Sequence, residues 1–511
     1  MTARASRSRA VRHKGAVRDF RAVLRPVGVV LVGFGASIGL CGLFGAAFEG
    51  AYLRPGLGGA GGLFFASALT LGLGLFGVAF GRRHARLKLT RREAILSVGL
   101  VWTMTGFCGS LPFVFGAEMS LVDAVFESVS GLTTTGATVI VDLEGLSRPI
   151  LLWRSFLQWL GGMGIVVLFV AIFPNMGVSA KQMFKGEVPG AVSEGLRPRI
   201  AETAGALWRI YLLLTSLEVL LLCLLGVSLF DAVCHALTTM STGGFSTHSE
   251  SIGHFDASVQ YAIALFMLIG TVNYNLYYLA LRQRTLRHFA RSLEFRVFAS
   301  GVLIFTLALF VVVISAGDRS LETSFRHAFF MVATTVSSTG FATDDYAQYP
   351  AFGLACVILL MIVGGCSGST AGGFKIERTI ILAKQAGAQI SKTYRPTVVR
   401  LIRLGKQVID PEVVADVSAF GVLFVSSLVL GLFLVPAFEG NTVPLPAAFG
   451  ALLSCLSNMG PAPFHELAGM EDNFAAYSTL SKLFFSFVMI LGRLEFFTLM
   501  ALLMPGFWRR Q

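Results

Sequence analysis

Leu132-Thr133-Thr134-Thr135-Gly136-Ala137-Thr138, a run of small hydroxyl residues closed by glycine, has three counterparts further along the chain. They are Ser241-Thr242-Gly243-Gly244-Phe245-Ser246, then Ser337-Ser338-Thr339-Gly340-Phe341-Ala342-Thr343, and a weaker fourth, Ser457-Asn458-Met459-Gly460-Pro461. Each follows an apolar stretch of about a dozen residues, too short to cross a bilayer and too apolar for an ordinary loop. One copy alone reads as a helix-packing motif of the kind common in membranes. Four copies in the same slot read as an internal repeat whose units act together.

Long apolar runs flank every copy. Spans are expected near 27–48, 61–81, 93–116, 150–173, 204–229, 257–281, 295–316, 351–365, 413–436 and 475–505, each near or above the length that a bilayer core requires. The composition agrees: 54% of the residues are hydrophobic, only 14% are charged and Phe occurs 44 times, so lipid is the solvent for much of the surface. The first run has full span length behind a basic tail and reads as a retained anchor. The basic clusters, Arg4 to Arg25, Arg82 to Arg92, Arg282 to Arg296, Lys375 to Lys406 and Arg509-Arg510, fall on one side of this arrangement. By the positive-inside rule that side is the cytoplasm. Asp142, Glu144, Asp256, Asp344, Asp345, Glu439, Glu471 and Asp472 fall on the other. The net charge of +12 therefore belongs to loops beside lipid headgroups, and no nucleic-acid partner is expected. The expected location is the inner (cytoplasmic) membrane, multi-pass, with both termini cytoplasmic.

Each unit then reads as span, short helix, extended turn, span. The short helix enters from outside and stops at mid-membrane, aiming the negative end of its dipole at the membrane centre, where it favours a cation. Asp123 and Asp231, each thirteen residues before its glycine, are expected to cap the first two short helices; His327 holds the same slot in the third. The turn carries free carbonyls, tolerable at that depth only where they line water. Glycine permits the backbone angles that turn them to a common axis, and four turns make a ring that can replace a cation's hydration shell. Glu127 and His235, nine residues before their glycines, are expected to tie short helices to neighbours. The span from 351 is interrupted at 364–373, half glycine, which a helix cannot run through smoothly; a broken helix below such a ring is a candidate gate. Arg493, inside the last span, would raise a barrier to cations there, or pair with Glu495. Arg154 and Lys482 lie nearer span ends and are expected to snorkel.

Other chemistries find little support. Gly368 and Gly373 have phosphate-loop spacing, but Phe374 follows where Lys is required. The GxGxxG matches at Gly56/Gly58/Gly61 and Gly72/Gly74/Gly77 fall in an external loop and inside a span. The seven cysteines, Cys41, Cys108, Cys223, Cys234, Cys356, Cys366 and Cys455, show no ligand spacing and read as packing residues. No clustered catalytic side chains appear, so no enzyme is expected.

With Trp153-Arg154, Gln158-Trp159-Leu160-Gly161-Gly162-Met163-Gly164, Gly364-Gly365-Cys366-Ser367-Gly368-Ser369-Thr370-Ala371-Gly372-Gly373-Phe374-Lys375 and Gly492-Arg493-Leu494-Glu495, the four turns resemble the TrkH family. These are membrane subunits of bacterial Trk potassium uptake systems, within the superfamily of K⁺ transporters. The resemblance runs from about residue 27 to 510 and implies an all-α polytopic fold: four span–pore-helix–span repeats in pseudo-fourfold array plus two extra N-terminal spans. The expected division is a basic tail (1–26), the extra spans (27–92) and units at 93–203, 204–293, 294–411 and 412–511.

Carried over residue by residue, the resemblance makes Gly136, Gly244, Gly340 and Gly460 the glycines that mark potassium selectivity. Plant relatives with Ser at the first position tend to pass sodium. The expected K⁺ filter is then Thr134, Thr135 and Gly136; Thr242, Gly243 and Gly244; Ser338, Thr339 and Gly340; and Asn458, Met459 and Gly460. The expected gate is Gly364, Gly365, Gly368, Gly372, Gly373, Lys375 and Arg493. Ala462 and Pro463 depart from the family pattern, as does Ala371. The implied activity is channel-like potassium uptake, the alternative a symporter coupled to Na⁺ or H⁺. K⁺ is the transported ion and no organic cofactor is expected. The implied partners are a second copy in a homodimer, membrane lipids and a cytosolic nucleotide-binding ring of TrkA type, with the basic loops and segment 175–203 as candidate docking surfaces.

Overall fold

The computed structural model describes residues 20–49, 58–82, 89–164, 200–315, 319–346, 349–397, 400–405, 407–465, 473–494 and 496–509. The expected basic tail to residue 19, the loop arginines at 83 and 86, most of segment 175–203, and Glu471, Asp472 and Glu495 lie outside them.

Two helices, Phe20–Glu49 and Gly59–Gly81, pack along each other ahead of the units. Their contact is nearly side-chain-free in places: a Cβ at Gly28 or Gly74 would run into the partner's backbone. The outer helices of the four units are Arg91–Gly116, Ile200–Leu224, Leu293–Ser315 and Pro411–Phe438. A capping box starts the first, with Thr90 accepting from Glu93 N at 3.3 Å while Glu93 Oε2 accepts from Thr90 N at 2.8 Å. The short helices are Leu121–Leu132, Leu229–Met240, Leu321–Val336 and Leu445–Ser457.

The second helices of units two and four differ from the sequence expectation, whereas that of unit three breaks at Gly364, where the glycine run predicts it. Six helices among the described residues are long and apolar enough to cross a bilayer, and a seventh candidate, Ala257–Thr271 with Tyr274–Gln283, is bent by 87°. The spans expected at 257–281 and 475–505 are not continuous, and 165–173 of the span expected at 150–173 lie outside the described residues. Arg148–Trp159 passes into a π-helical turn, Leu160–Gly164, and Ala351–Val363 stops at Gly364. Thr479–Arg493 gives way to Phe497–Leu503. Glycine sits at each interruption, facing the end of its own unit's short helix. A Cβ at Gly161 or Gly492 would strike the carbonyl of Leu132 or Leu456; at Gly270 or Gly365 it would stand 3.4 or 3.5 Å from that of Met240 or Val336. All four carbonyls lie four residues before the glycine that closes their unit's repeated turn.

The units close in a circle. Short helix one packs on the inner helix of unit four, two on one, three on two, and four on three. One exception to the all-α fold is a small hairpin, Arg403–Leu404 with Gln407–Val408, between units three and four. Its neighbours Ile381, Ile409, Val414 and Val417 form a separate apolar cluster.

Candidate ion filter and gate

Serines start three of the short helices. Ser120, Ser228 and Ser320 accept from the backbone N–H three residues on at 3.2, 3.1 and 3.1 Å. Asp123 and Asp231 are therefore not the caps; each sits in the first turn and accepts the capping hydroxyl at 2.7 Å. The slot thirteen residues before the glycine reaches past the turn instead. Asp231 accepts from Thr247 Oγ1 at 2.7 Å, and His327 Nδ1 lies 3.2 Å from Thr343 Oγ1; both partners are three residues beyond the glycine. Asp123 takes the Lys482 ammonium at 2.7 Å, joining unit one to unit four, so Lys482 does not snorkel.

The four turns share one backbone. The N–H just before each glycine reaches back five residues: Thr135 to Ser130, Gly243 to Thr238, Thr339 to Thr334 and Met459 to Ser454, at 2.8 to 3.0 Å. Left-handed φ values recur at the glycine and two residues earlier. They are +54° and +83° for Thr134 and Gly136, +55° and +80° for Thr242 and Gly244, +55° and +84° for Ser338 and Gly340, and +52° and +98° for Asn458 and Gly460. Alternating hand along a short segment brings successive peptide groups to one side. The non-glycine positions carry strain of about 1–2 kcal/mol each, of the kind that clusters at functional sites.

The turns also close a ring. A Cβ on Gly136 would strike the carbonyl of Gly243, one on Gly244 that of Thr339, one on Gly340 that of Met459, and one on Gly460 would come within 2.8 Å of that of Thr135. Each glycine thus faces the next unit's carbonyl just ahead of its own glycine, and the fourth returns to the first.

Polar side chains brace the first two turns from behind. Glu127 accepts from Thr138 Oγ1 at 3.0 Å and Val139 N at 3.1 Å, and His235 Nε2 lies 3.0 Å from Ser246 Oγ. Both bonds tie a short helix to the outlet of its own turn, two residues past the glycine, and Glu127 also ties its short helix to the neighbouring helix through Arg154. Units three and four have Met331 with Ala342 and Ala451 with Ala462 in those slots, all apolar. Arg154 does not snorkel either. It is 2% exposed, pairs with Glu127 at 2.6 Å, donates to Ser246 O at 2.9 Å and stands 3.6 Å over the Phe245 ring. Gln158 holds the second turn at two points, donating to Gly243 O at 2.7 Å and accepting from Phe245 N at 3.1 Å. Asn458 donates to Thr135 Oγ1 at 2.9 Å, linking the fourth turn to the first.

The glycine-rich segment 364–375 lies beneath this ring. Gly364, Gly368, Gly373 and Lys375 have φ between +65° and +78°; such values are rare for a lysine and ordinary for glycine. Gly372 N donates to Ser338 Oγ at 2.6 Å and Gly373 N to Ser457 O at 2.9 Å. Thr370 Oγ1 reaches Met240 O and Gly270 O at 3.1 and 3.2 Å, and Cys366 N donates to Thr271 O beside Gly365. Arg493 donates to Thr370 O at 3.0 Å and to Gly161 O and Gly162 O at 2.8 and 3.1 Å. The segment and this arginine together touch all four units. Glu294, which the sequence reading passed over inside a basic cluster, accepts from Ser367 N at 2.6 Å.

Comparison with known proteins gives concordant matches. The sequence model of the TrkH family, described as cation transport protein, matches residues 75–506. The Trk system potassium uptake protein TrkH of Salmonella typhimurium is 38% identical over 501 residues, covering 96% of this chain and 99% of that protein. TrkG of Escherichia coli, another Trk system potassium uptake protein, is 33% identical over 440 residues, covering 85% and 89%. The crystal structure of the potassium transporter TrkH from Vibrio parahaemolyticus superposes with a TM-score of 0.84 at 34% identity, covering 96% of this chain and 100% of that one.

Proposed function

The chain belongs to the TrkH family of cation transport proteins, and from that membership we propose that it takes K⁺ into the cell through a channel-like pore whose filter is the ring of four turns. It is a transporter and not an enzyme. The observation that carries the reading is the closed succession of glycines and carbonyls, with the same alternation of backbone hand in every unit. Carbonyls held at fixed spacing replace part of a cation's hydration shell, and four short-helix C-termini add negative potential. That K⁺ is the ion is supported by the relatives' names. A membrane potential of roughly 100 mV supplies about 2.3 kcal/mol per monovalent cation.

Segment 364–375 is the gate in this reading, with Arg493 as the positive group that anchors it below the filter. Opening requires the segment's bonds to Ser338, Ser457 and Met240 to part. The proposed ligand residues, Thr134 to Gly136, Thr242 to Gly244, Ser338 to Gly340 and Asn458 to Gly460, carry no titratable side chain, which favours uniport over coupled symport. The protein functions as a homodimer in the cytoplasmic membrane with both termini inside, regulated by a TrkA-type nucleotide-binding ring.

The test is radioactive rubidium uptake into proteoliposomes carrying the purified protein, with its cytosolic partner added. Strong competition by K⁺ and weak competition by Na⁺ are expected, and Gly136→Ser loses that preference. No uptake by the wild type sinks conduction; an unchanged preference in the variant moves the filter away from Gly136. Gln158→Ala is expected to admit Na⁺ as well, because the carbonyl of Gly243 and the N–H of Phe245 lose their shared anchor. Sodium competition equal to that of the wild type would contradict this.

A further inference from the structure

The outer helix of unit two, Ile200–Leu224, carries a polar stripe on an otherwise apolar rod. Tyr211, Thr215 and Glu218 follow one another at helical spacing on one face. Leu212, Leu213, Leu217, Leu220 and Leu224 cover the opposite face and are exposed. The polar face turns inward. Thr215 Oγ1 accepts from Trp159 Nε1 at 3.2 Å, and Tyr211 donates to Trp159 O at 3.2 Å.

Glu218 is 1% exposed, and neither carboxyl oxygen has a hydrogen-bond partner among the described residues. No ion pair to it occurs among them either. Thr239, in the last turn of the second short helix, adjoins it, and that hydroxyl is also buried and without a hydrogen-bond partner among the described residues, as is the hydroxyl of Tyr274. The titratable groups facing this pocket are Tyr211 from the same helix and Tyr274 from the inner helix, with Arg493 beyond Tyr211. An ionised carboxylate left unpaired in an apolar interior costs far more than protonation, so such a group neutralises. The adjoining C-terminal end of the short helix carries partial negative charge and disfavours the anion further. A neutral acid, by contrast, has one O–H to donate, and the Thr239 oxygen stands there without a donor.

We propose that Glu218 is a proton-binding site in the wall behind the second filter turn, and that ion uptake requires its protonated form. The link to the filter is short. Thr239 O accepts from Thr242 N at 2.9 Å, and Thr242 is the left-handed residue that shapes the turn. Proton loss sets a full negative charge beside the base of that turn, where no cation forms an ion pair with it among the described residues. The uptake half of this proposal rests on reading the second turn as part of the filter; the protonation half does not.

Infrared spectroscopy of the purified full-length protein in deuterated buffer tests protonation directly. At neutral pH exposed carboxyls, with pKa about 4, are ionised. A carbonyl stretch of a protonated carboxylic acid is expected to persist, and to lose the component due to Glu218 in the spectrum of Glu218→Gln. Should that variant fail to fold, Glu218→Met removes the acid without adding an amide. In proteoliposomes, wild-type uptake is expected to fall at alkaline pH in step with loss of the band. Glu218→Gln, which mimics the protonated acid, keeps its uptake over the same range. A spectrum without the band, or a band that keeps its full intensity in both variants, overturns the site. A band removed by substitution with identical pH profiles for wild type and variant overturns its role in uptake.

Discussion

Gly244→Ala is expected to abolish ion uptake while leaving the protein folded in the membrane. Gly244 has φ +80°, and a Cβ there would strike the carbonyl of Thr339 and crowd Gly340. The left-handed backbone alone costs an alanine about 1–2 kcal/mol, and neither opposing atom is a flexible side-chain end. Relief must come from the backbone of turn two or turn three, which widens the ring at the point where the next unit contributes its carbonyl. A fall of at least about tenfold follows if strain of that size is relieved only by leaving the conducting geometry. Gly301→Ala is the control. Gly301 lies in the outer helix of unit three with nothing within 4 Å of an added Cβ. Alanine there should stabilise the helix by about 0.5–1 kcal/mol and leave uptake intact. Rubidium flux and thermal midpoint in detergent, measured on both variants, separate the two effects. Normal uptake by Gly244→Ala would mean that turn two does not line the path.

Arg154→Met is expected to be the most destabilising single change at the filter. Arg154 and Glu127 are both buried and paired at 2.6 Å. Removing one partner strands the other, at a cost of about 3–5 kcal/mol. The loss reaches two turns at once, because Glu127 holds Thr138 and Val139 of unit one while Arg154 holds Ser246 and covers Phe245 of unit two. Replacing both, as Glu127→Met with Arg154→Met, removes the stranded charge, so the double variant should be more stable than Arg154→Met alone. Thermal unfolding of the two singles and the double gives the coupling. Purely additive losses would show that the pair is incidental.

The four turns were legible because their backbone is written in short contiguous segments. Hydroxyl residues ending in glycine report a left-handed backbone directly, and all four turns have it. Long helices were legible for a similar reason: apolar runs at 61–81, 93–116 and 295–316 became Gly59–Gly81, Arg91–Gly116 and Leu293–Ser315. Three of the inner helices read as continuous because hydropathy does not register a break, while the glycine run at 364–373 announces the break in that of unit three. Gly161, Gly270 and Gly492 sit in apolar context, and the reason for each is a carbonyl from another part of the chain. The caps were misplaced by one turn because aspartate and serine both suit a helix start, and only the bond to the third N–H tells them apart. Arg154 was misread because its partner, Glu127, lies on a different helix. Gln158 stood in view within a motif, yet nothing local says that its amide meets Gly243 and Phe245. Glu294 and Glu218 were hidden in opposite ways, one among basic residues and one in a leucine-rich helix.

Crystals of the protein grown in Rb⁺ or Tl⁺ test the central claim most directly, through anomalous scattering from the ion itself. The account predicts a peak on the axis of the ring, bounded by the turns ending at Gly136, Gly244, Gly340 and Gly460 and above segment 364–375. A ring empty of anomalous signal, with the ion bound elsewhere between the helices, would contradict it.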